Sequence, residues 1–131
     1  MPISFDSALG NHDKALLVRS HRAELLASNI ANGDTPGYKA RDIDFRTALA
    51  NIQQQNNHGL KLTHSQHLPA SSNIAGMDVM YRIPNQSSLD GNTVDSQMEK
   101  SAFAENALRY QASLTFLDMK FKGLIAALKG E

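Results

Sequence analysis

Two pairs of side chains in the sequence have a spacing that could support chemistry. His64 and His67 are three residues apart and could share a metal ion on a helix, but Pro69 and the polar surroundings argue against a helix there, and no third ligand is evident. Asp42 and Asp44 would point to the same side of an extended chain, as an acid–base pair can. Solvated or hydrogen-bonding carboxylates are the simpler interpretation. We therefore predict no catalytic residue, no metal site and no cofactor.

The composition argues against several other classes of function. The 131 residues include no Cys, which excludes disulfides, zinc–thiolate sites and thiol nucleophiles. Thirteen basic and thirteen acidic residues cancel, which argues against nucleic-acid binding through a broad basic face. Glycine-rich phosphate loops and the common hydrolase motifs are absent. No apolar run approaches the ~18–20 residues that cross a bilayer. The first residues lack the pattern of a cleaved secretory signal.

A helix is predicted near the start of the chain, from residue 6 to about residue 32. Asp6 or Ser7 can cap its first turn, and Asn32-Gly33 supplies a pair that tolerates left-handed geometry at its end. Its apolar residues recur at intervals of seven or lie on the neighbouring row, which gives a partial heptad pattern. They are Leu9, Leu16, Ala23, Leu26 and Ile30.

A longer helix is predicted from residue 93 to about residue 129. It follows Asp90-Gly91-Asn92-Thr93, and Asp95 is placed to favour the positive end of the helix. Its second half has the clearest pattern in the sequence, an a/d spacing that alternates between four and three. The residues of this pattern are Phe103, Ala107, Tyr110, Leu114, Leu117, Phe121, Leu124 and Leu128. Upstream of Phe103 the pattern fails, so we expect the helix to change partner near residue 100.

Between these helices the chain is polar, with a flexible linker predicted from Gln53 to Gly59. Residues 77–83 alternate well enough for one short strand, and Leu60 to Leu62 is a weaker candidate. We predict a mainly α protein whose long N- and C-terminal helices pair as a coiled-coil-like hairpin around a loop-rich middle with at most short strands. The expected units are 1–32 paired with 93–131, a turn and extended segment at 33–52, and a flexible insertion at 53–92.

A hairpin of two helices has no enclosed core, because each helix covers only one face of the other. Either the middle segment completes a small bundle, or other subunits supply the missing surfaces. A soluble hairpin adaptor or chaperone that binds partner helices is the alternative function. Within the hairpin we expect one set of apolar residues to pack against the other, namely Leu16, Ala23, Leu26 and Ile30 against Leu114, Leu117, Phe121 and Leu124.

The segment from Leu26 to Phe45 carries the most distinctive motif. Its asparagines can bond to backbone at a helix end, Pro36-Gly37 fits the centre of a type II turn, and an extended stretch should follow. Ile43 and Phe45 would lie on one side of that stretch. The motif residues singled out are Asn29, Asn32, Thr35, Pro36, Gly37, Tyr38, Asp42 and Phe45.

This segment closely resembles the N-terminal signature of the bacterial flagellar axial proteins, which comprise rod, hook and filament-junction subunits. Their pattern is Ala-x-Asn-Ile-Ala-Asn-x-x-Thr-Pro-Gly-Tyr. The chain is most similar to the proximal rod subunits of this family through the segments Arg41 to Phe45, Tyr81 to Pro84 and Ser88 to Asp95, and its closing helix at Asn106 to Ala112 also matches. The resemblance extends from about residue 6 to 129.

The resemblance implies a structural subunit of the proximal rod, whose paired helices line the inner tube and which transmits torque from the membrane-embedded base to the distal rod. It implies as partners other copies of the chain, other rod proteins, base-ring and export-gate components, and the flagellar type III export apparatus. The implied site is the periplasmic basal body, reached by export of the unfolded chain without signal cleavage. Residues 33–45 are expected to reach an adjacent subunit.

Overall fold

The computed structural model describes residues 9–55 and 77–130, and five elements lie wholly within these ranges. They are helix α1 (His12–Ala31), strand β1 (Arg41–Ile43), helix α2 (Phe45–Gln55), strand β2 (Val79–Tyr81) and helix α3 (Ser96–Lys129). The described chain is therefore mainly helical, with a long helix toward each end and short strands between them. This confirms the predicted fold class.

Helix α1 begins later than predicted, because the chain turns at Gly10, whose φ of 65° is in the left-handed region. With 20 residues it is about 30 Å long, shorter than the predicted span from residue 6 would give. The expected cap at Asp6 or Ser7 lies outside the described residues. The left-handed end predicted for the Asn32-Gly33 pair is wrong, since Asn32 has a φ of −102° and Gly33 is not among the glycines with positive φ. Asn32 instead donates from Nδ2 to the Ser28 carbonyl oxygen at 2.8 Å.

Gly33, directly after α1, lets the chain come close to the beginning of α3. A Cβ at Gly33 would lie 3.2 Å from the Ser96 Oγ, which is tighter than nine in ten real Cβ contacts and would require Ser96 to shift by a few tenths of an ångström. Gly33 is not needed for a positive φ, which only Gly10, Gly37, Gly91 and Gly130 adopt among the described glycines.

Helix α3 begins at Ser96 because the Asp95 side chain caps it, accepting hydrogen bonds from the backbone N–H groups of Gln97 at 3.0 Å and Met98 at 3.2 Å. It ends at Gly130 with a φ of 76°. Its 34 residues span about 50 Å. The start is a few residues later than predicted, and the end agrees.

Helices α1 and α3 run antiparallel, and three side-chain contacts fix their register. They are Asn29 with Glu99, the Arg19 carbonyl with Asn106, and the His12 ring with the Phe116 ring. Leu26 and Ile30, which flank Asn29, therefore lie near the first turns of α3. The expected packing of these two residues against the second half of α3 is wrong. Helix α3 continues beyond the level of His12.

A second layer packs on α1 and contains the described apolar core. Strands β1 and β2 are antiparallel, with Ile43 opposite Val79, which confirms one short strand in the predicted 77–83 segment. Helix α2 packs beside them. The core side chains are Val18, Leu25, Ile43, Ala48, Ile52 and Met77, with Phe45 packed against them. The weaker strand candidate at Leu60 to Leu62 lies outside the described residues.

Helix α2 was not predicted, since Phe45 was expected to continue an extended stretch and Gln53 to begin a linker. The Asp44 side chain caps α2, accepting from the Arg46 N–H at 3.0 Å and from the Thr47 hydroxyl at 2.8 Å. The spacing of Phe45, Ala48 and Ile52 then gives an apolar helical face. The alternation of Ile43 and Phe45 obscured this pattern, because it fits a strand equally well over three residues.

Replacing Leu26 by Ala should destabilise the isolated protein by about 2–5 kcal/mol, because Leu26 is completely buried and its truncation leaves a cavity. Leu17→Ala on the same helix is the matched control, since Leu17 is 48% exposed and its loss should cost about 1 kcal/mol or less. Urea unfolding followed by far-UV circular dichroism measures both. Equal losses for the two variants would contradict the buried position of Leu26.

Candidate functional site

Three rows of side chains, each repeating every seven residues, run along α3. The middle row is Phe103, Tyr110, Leu117 and Leu124. The polar row on one side of it is Glu99, Asn106, Ser113 and Lys120. The apolar row on the other side is Ala107, Leu114, Phe121 and Leu128. The polar and apolar rows are offset by one residue, which is about 100° around a helix.

The polar row faces α1 over its first half. Glu99 is completely buried and Asn106 is 1% exposed, whereas Ser113 is half-buried and Lys120 is exposed. Asn106 donates from Nδ2 to the Arg19 carbonyl oxygen at 2.9 Å. Its Oδ1 atom is buried without a hydrogen-bond partner. Burying an unpaired polar atom costs about 1–3 kcal/mol, so this contact is not optimised for stability.

The apolar row faces outward. Leu114 is 37% exposed, Phe121 40% and Leu128 88%, and Ala107 is also exposed. In the middle row Phe103 is exposed, while Tyr110, Leu117 and Leu124 are half-buried. Five of the eight residues predicted from the a/d pattern are thus exposed, and they form an apolar stripe along one side of α3. Contiguous exposed apolar surface of this kind is uncommon on soluble monomers and marks an interaction surface.

The apolar residues predicted on the first helix have a different environment. Leu26 is completely buried. Leu9, Leu16, Ala23 and Ile30 are half-buried. They therefore leave part of their surface available beside the helix pair.

Asn29 joins three elements from a completely buried position. Its Nδ2 donates to the Arg41 carbonyl oxygen at 2.7 Å and to Glu99 Oε2 at 3.0 Å. Its Oδ1 accepts from the Arg41 N–H at 3.0 Å, and the Tyr38 hydroxyl donates to the same atom at 3.4 Å. The first asparagine of the motif thus connects α1 with β1 and α3.

Asp42 lies in a network of charges that also holds β2 in place. Arg22 binds it in a bidentate manner, with Nε at 2.8 Å from Oδ1 and Nη2 at 2.9 Å from Oδ2. Arg82 donates to Asp42 and lies 3.0 Å from the Glu99 carboxylate through Nη1. Arg22 is thus paired within the chain and not simply solvated. Asp44 caps α2 instead, so the two aspartates do not act as a pair.

The environment of Asp42 lowers its pKa. Burial raises the pKa of this carboxyl group, but hydrogen bonds from Arg22, the Ile43 N–H and Arg82, with the charge of Arg22, outweigh that effect. The hydrogen bond to Asp42 raises the pKa of Arg22 in turn. Burial lowers the pKa of Arg19, as do the nearby charges of Arg109 and Arg22.

The Thr-Pro-Gly-Tyr motif forms a tight turn. The Tyr38 N–H donates to the Thr35 carbonyl oxygen at 3.2 Å, and Gly37 has a φ of 71°. These features fit the predicted type II turn. The Gly37 N–H donates to the Asp90 carbonyl oxygen at 2.9 Å, which ties the turn to the segment before α3. Thr35, Pro36 and Gly37 themselves are exposed.

Asn92 anchors the same segment to the end of α1. Its Nδ2 lies 3.0 Å from the Asn32 carbonyl oxygen, 2.7 Å from that of Gly33 and 3.0 Å from that of Thr35. Its Oδ1 accepts from the Val94 N–H at 2.8 Å. This one side chain therefore ties the segment before α3 to three carbonyl groups of the turn that follows α1.

Sequence analysis did not single out Arg82, Asn92, Glu99 or Asn106 as functional. A signal was present for two of them, because Glu99, Asn106 and Ser113 recur every seven residues beside the apolar pattern. Arg82 and Asn92 lie in irregular segments, where spacing carries no information about partners. No group of three or more His, Asp or Glu residues within 9–55 and 77–130 could hold a metal ion. His64 and His67 are outside these ranges.

Replacing Asp42 by Asn should lower the free energy of unfolding by about 1–3 kcal/mol at pH 7, because Arg22 and Arg82 lose a charged acceptor. The pKa of Asp42 is lowered in the folded state, so its stabilising effect is present above its unfolded-state pKa of about 3.9 and is lost as the pH falls through the folded-state value. Urea titrations from pH 7 to pH 2.5 measure the difference between parent and variant.

That difference should shrink in acid, and a constant difference over the whole pH range would refute the assigned role of Asp42. Asp34→Asn is the control. Asp34 is an exposed carboxylate of the motif loop, and its substitution should change stability by about 0.5 kcal/mol or less.

The protein family described as flagella basal body rod protein matches residues 9–39, which contain α1 and the motif turn. Similarity to individual proteins extends over the whole chain. Flagellar basal body rod protein FlgB of Aeromonas hydrophila is 54% identical, over 100% of this chain and 99% of the relative. The protein of the same name from Salmonella typhimurium is 46% identical over 95% of both chains. That of Escherichia coli is 45% identical over 95% of this chain and 94% of its own.

These identities cover helices, strands and motif alike, and they agree with the resemblance carried by the segment from Leu26 to Phe45. The matched lengths leave almost no part of either chain without a counterpart. The chain therefore belongs to the flagellar basal body rod protein family.

Proposed function

We propose that the protein is a structural subunit of the proximal rod, which assembles helically with copies of itself and with other rod proteins and transmits torque from the membrane-embedded base to the distal rod. As a member of the basal body rod family it is a structural protein and not an enzyme. Nothing in its relatives favours the soluble adaptor or chaperone. The observation that carries the proposal is the outward-facing apolar row of α3.

The apolar row fits a helix of a neighbouring subunit. Side chains that repeat every seven residues keep to one side of a helix over a long distance, so two such helices can pack nearly parallel along their whole length. Full burial of a Leu or Phe side chain contributes about 1.5–3 kcal/mol. The exposed fractions of Leu114, Phe121 and Leu128 in the single chain lie between 37% and 88%. A neighbouring subunit that covers these side chains therefore gains a substantial apolar contact.

The packed helices also suit the transmission of torque. Helix α3 spans about 50 Å without a break, and its N-terminal half is held by hydrogen bonds to α1 and by an ion pair to Arg82, which follows β2. Twisting a bundle of such helices deforms side-chain packing, which has low compressibility. The subunit can therefore transmit rotation as a rigid unit.

The motif turn is proposed as a second contact with an adjacent subunit. Thr35, Pro36 and Gly37 are exposed at its tip, while Asp90 and Tyr38 hold the base of the turn in place. A rigid, exposed turn loses little conformational entropy when it binds. The half-buried residues Leu9, Leu16, Ala23 and Ile30 are proposed to complete the assembly surface.

The proposed location is the periplasmic part of the basal body, beside base-ring and export-gate components. Export of the unfolded chain through the flagellar type III apparatus, without signal cleavage, is proposed as its route. The chain has no Cys, so no disulfide has to be reduced before it unfolds. In the described part of the chain, no helix combines the length and the apolar character that a membrane span requires.

Replacing Leu114 by Asp should abolish swimming in a host that lacks its own copy of the protein, because a charge would be buried without a partner between subunits. Motility in soft agar should fall to that of the host without the gene. The isolated variant should lose about 1 kcal/mol of stability or less, since Leu114 is already 37% exposed. Ala112→Asp, an exposed position on the opposite side of the same helix, is the matched control and should swim normally. Normal swimming with Leu114→Asp would disprove the proposed interface.

A further inference from the structure

Helix α3 buries its less apolar side within its own hairpin. Glu99 and Asn106 of the polar row are completely or almost completely buried, while Leu114 and Phe121 of the apolar row stay more than a third exposed. Hydrophobic burial alone would favour the opposite arrangement. A rotation of α3 by one residue position, about 100°, would place the apolar row against α1. An interaction other than burial must oppose that rotation.

The contacts of Glu99 supply the first opposing interaction. Its Oε2 accepts from Asn29 at 3.0 Å, and its Oε1 lies 3.0 Å from Arg82 Nη1 in an ion pair that lacks the geometry of a hydrogen bond. Rotation would remove the carboxylate from both groups and leave the Asn29 amide short of an acceptor in a buried site. Removing Glu99 from this site is unfavourable, because Arg82 would keep only the Asp42 carboxylate, which it shares with Arg22.

Asn106 supplies the second interaction, one heptad further along the helix. Its Nδ2 donates to the Arg19 carbonyl oxygen at 2.9 Å, while its Oδ1 remains buried and unpartnered. A Leu at this position would avoid the unpartnered oxygen and add apolar packing. Buried polar residues at such positions of coiled coils specify one pairing geometry at a cost in stability.

We propose that the buried polar contacts of Glu99 and Asn106 hold α3 in the rotation that keeps the apolar row facing outward. The apolar row is thereby prevented from collapsing onto α1 of its own chain and stays available to neighbouring subunits. This inference rests on the proposed function for the use of the apolar row. The rotation itself is a property of the single chain and can be measured without assembly.

Thiol labelling of the full-length protein tests the rotation, because the chain contains no Cys. Ala107→Cys and Leu108→Cys introduce single thiols at two exposed neighbours, and both should react at similar rates in the parent. The test background combines Glu99→Met with Asn106→Leu. There the thiol at position 107 should react at least about tenfold more slowly than the thiol at 108, because only position 107 turns toward α1.

Gln97→Leu is the matched control, since it exchanges an exposed amide for the same apolar side chain outside the polar row and more than two turns from the thiols, and it should leave both rates unchanged. If circular dichroism shows that the double variant does not fold, labelling of the single variant Asn106→Leu is the test of the inference. This variant keeps the Glu99 contacts and should slow labelling at 107 by about threefold. Folded variants that label at the parent rate would overturn the inference.

Swimming separates this inference from the proposed function. The double variant should be helical yet fail to support motility, because its apolar row is hidden. If labelling shows the rotation but cells with Leu114→Asp still swim, the role of Glu99 and Asn106 in holding α3 is supported and the proposed interface is wrong. If labelling is unchanged and cells with Leu114→Asp do not swim, the proposed interface is supported and the inferred role of Glu99 and Asn106 is wrong.

Discussion

The described structure depends on the contacts that the buried Glu99 carboxylate makes. A charge at a completely buried position persists only with partners, and the two partners of Glu99 come from different parts of the chain. Asn29 belongs to α1 and binds β1, while Arg82 follows β2 and binds Asp42. One carboxylate therefore fixes α3 relative to the first helix and to the small sheet. The family motif contributes to this arrangement through Asn29 and Asp42.

This arrangement separates the two tasks of α3. Its N-terminal half is held by polar contacts that fix position, whereas its apolar row presents surface that gains from being covered. Polar contacts specify one geometry because they lose energy in every other. Apolar contacts are less directional, so neighbours can use them to build a continuous packing. The polar contacts thus set the geometry of the hairpin, and the apolar contacts are the ones that we propose for assembly.

The sequence predicted the parts of the fold that depend on local chemistry. The long helices, the strand at 77–83 and the turn at Pro36-Gly37 follow from spacing and backbone preference, and the structure has all of them. The sequence did not predict α2, because Ile43 and Phe45 alternate as in a strand, and over so few residues this spacing does not distinguish a strand from the start of a helix. The a/d pattern identified an apolar side of α3 but not its partner. Hydrogen bonds such as those of Asn92 join residues about 60 positions apart, and no local pattern contains them.

The close approach of Gly33 to Ser96 has an architectural consequence. The end of α1 and the beginning of α3 meet there, so the residues between them form one long insertion whose two ends lie side by side. Lengthening an insertion of this kind costs little, since the entropy of joining its ends rises only with the logarithm of its length. The same pair of helices can therefore accommodate insertions of very different length.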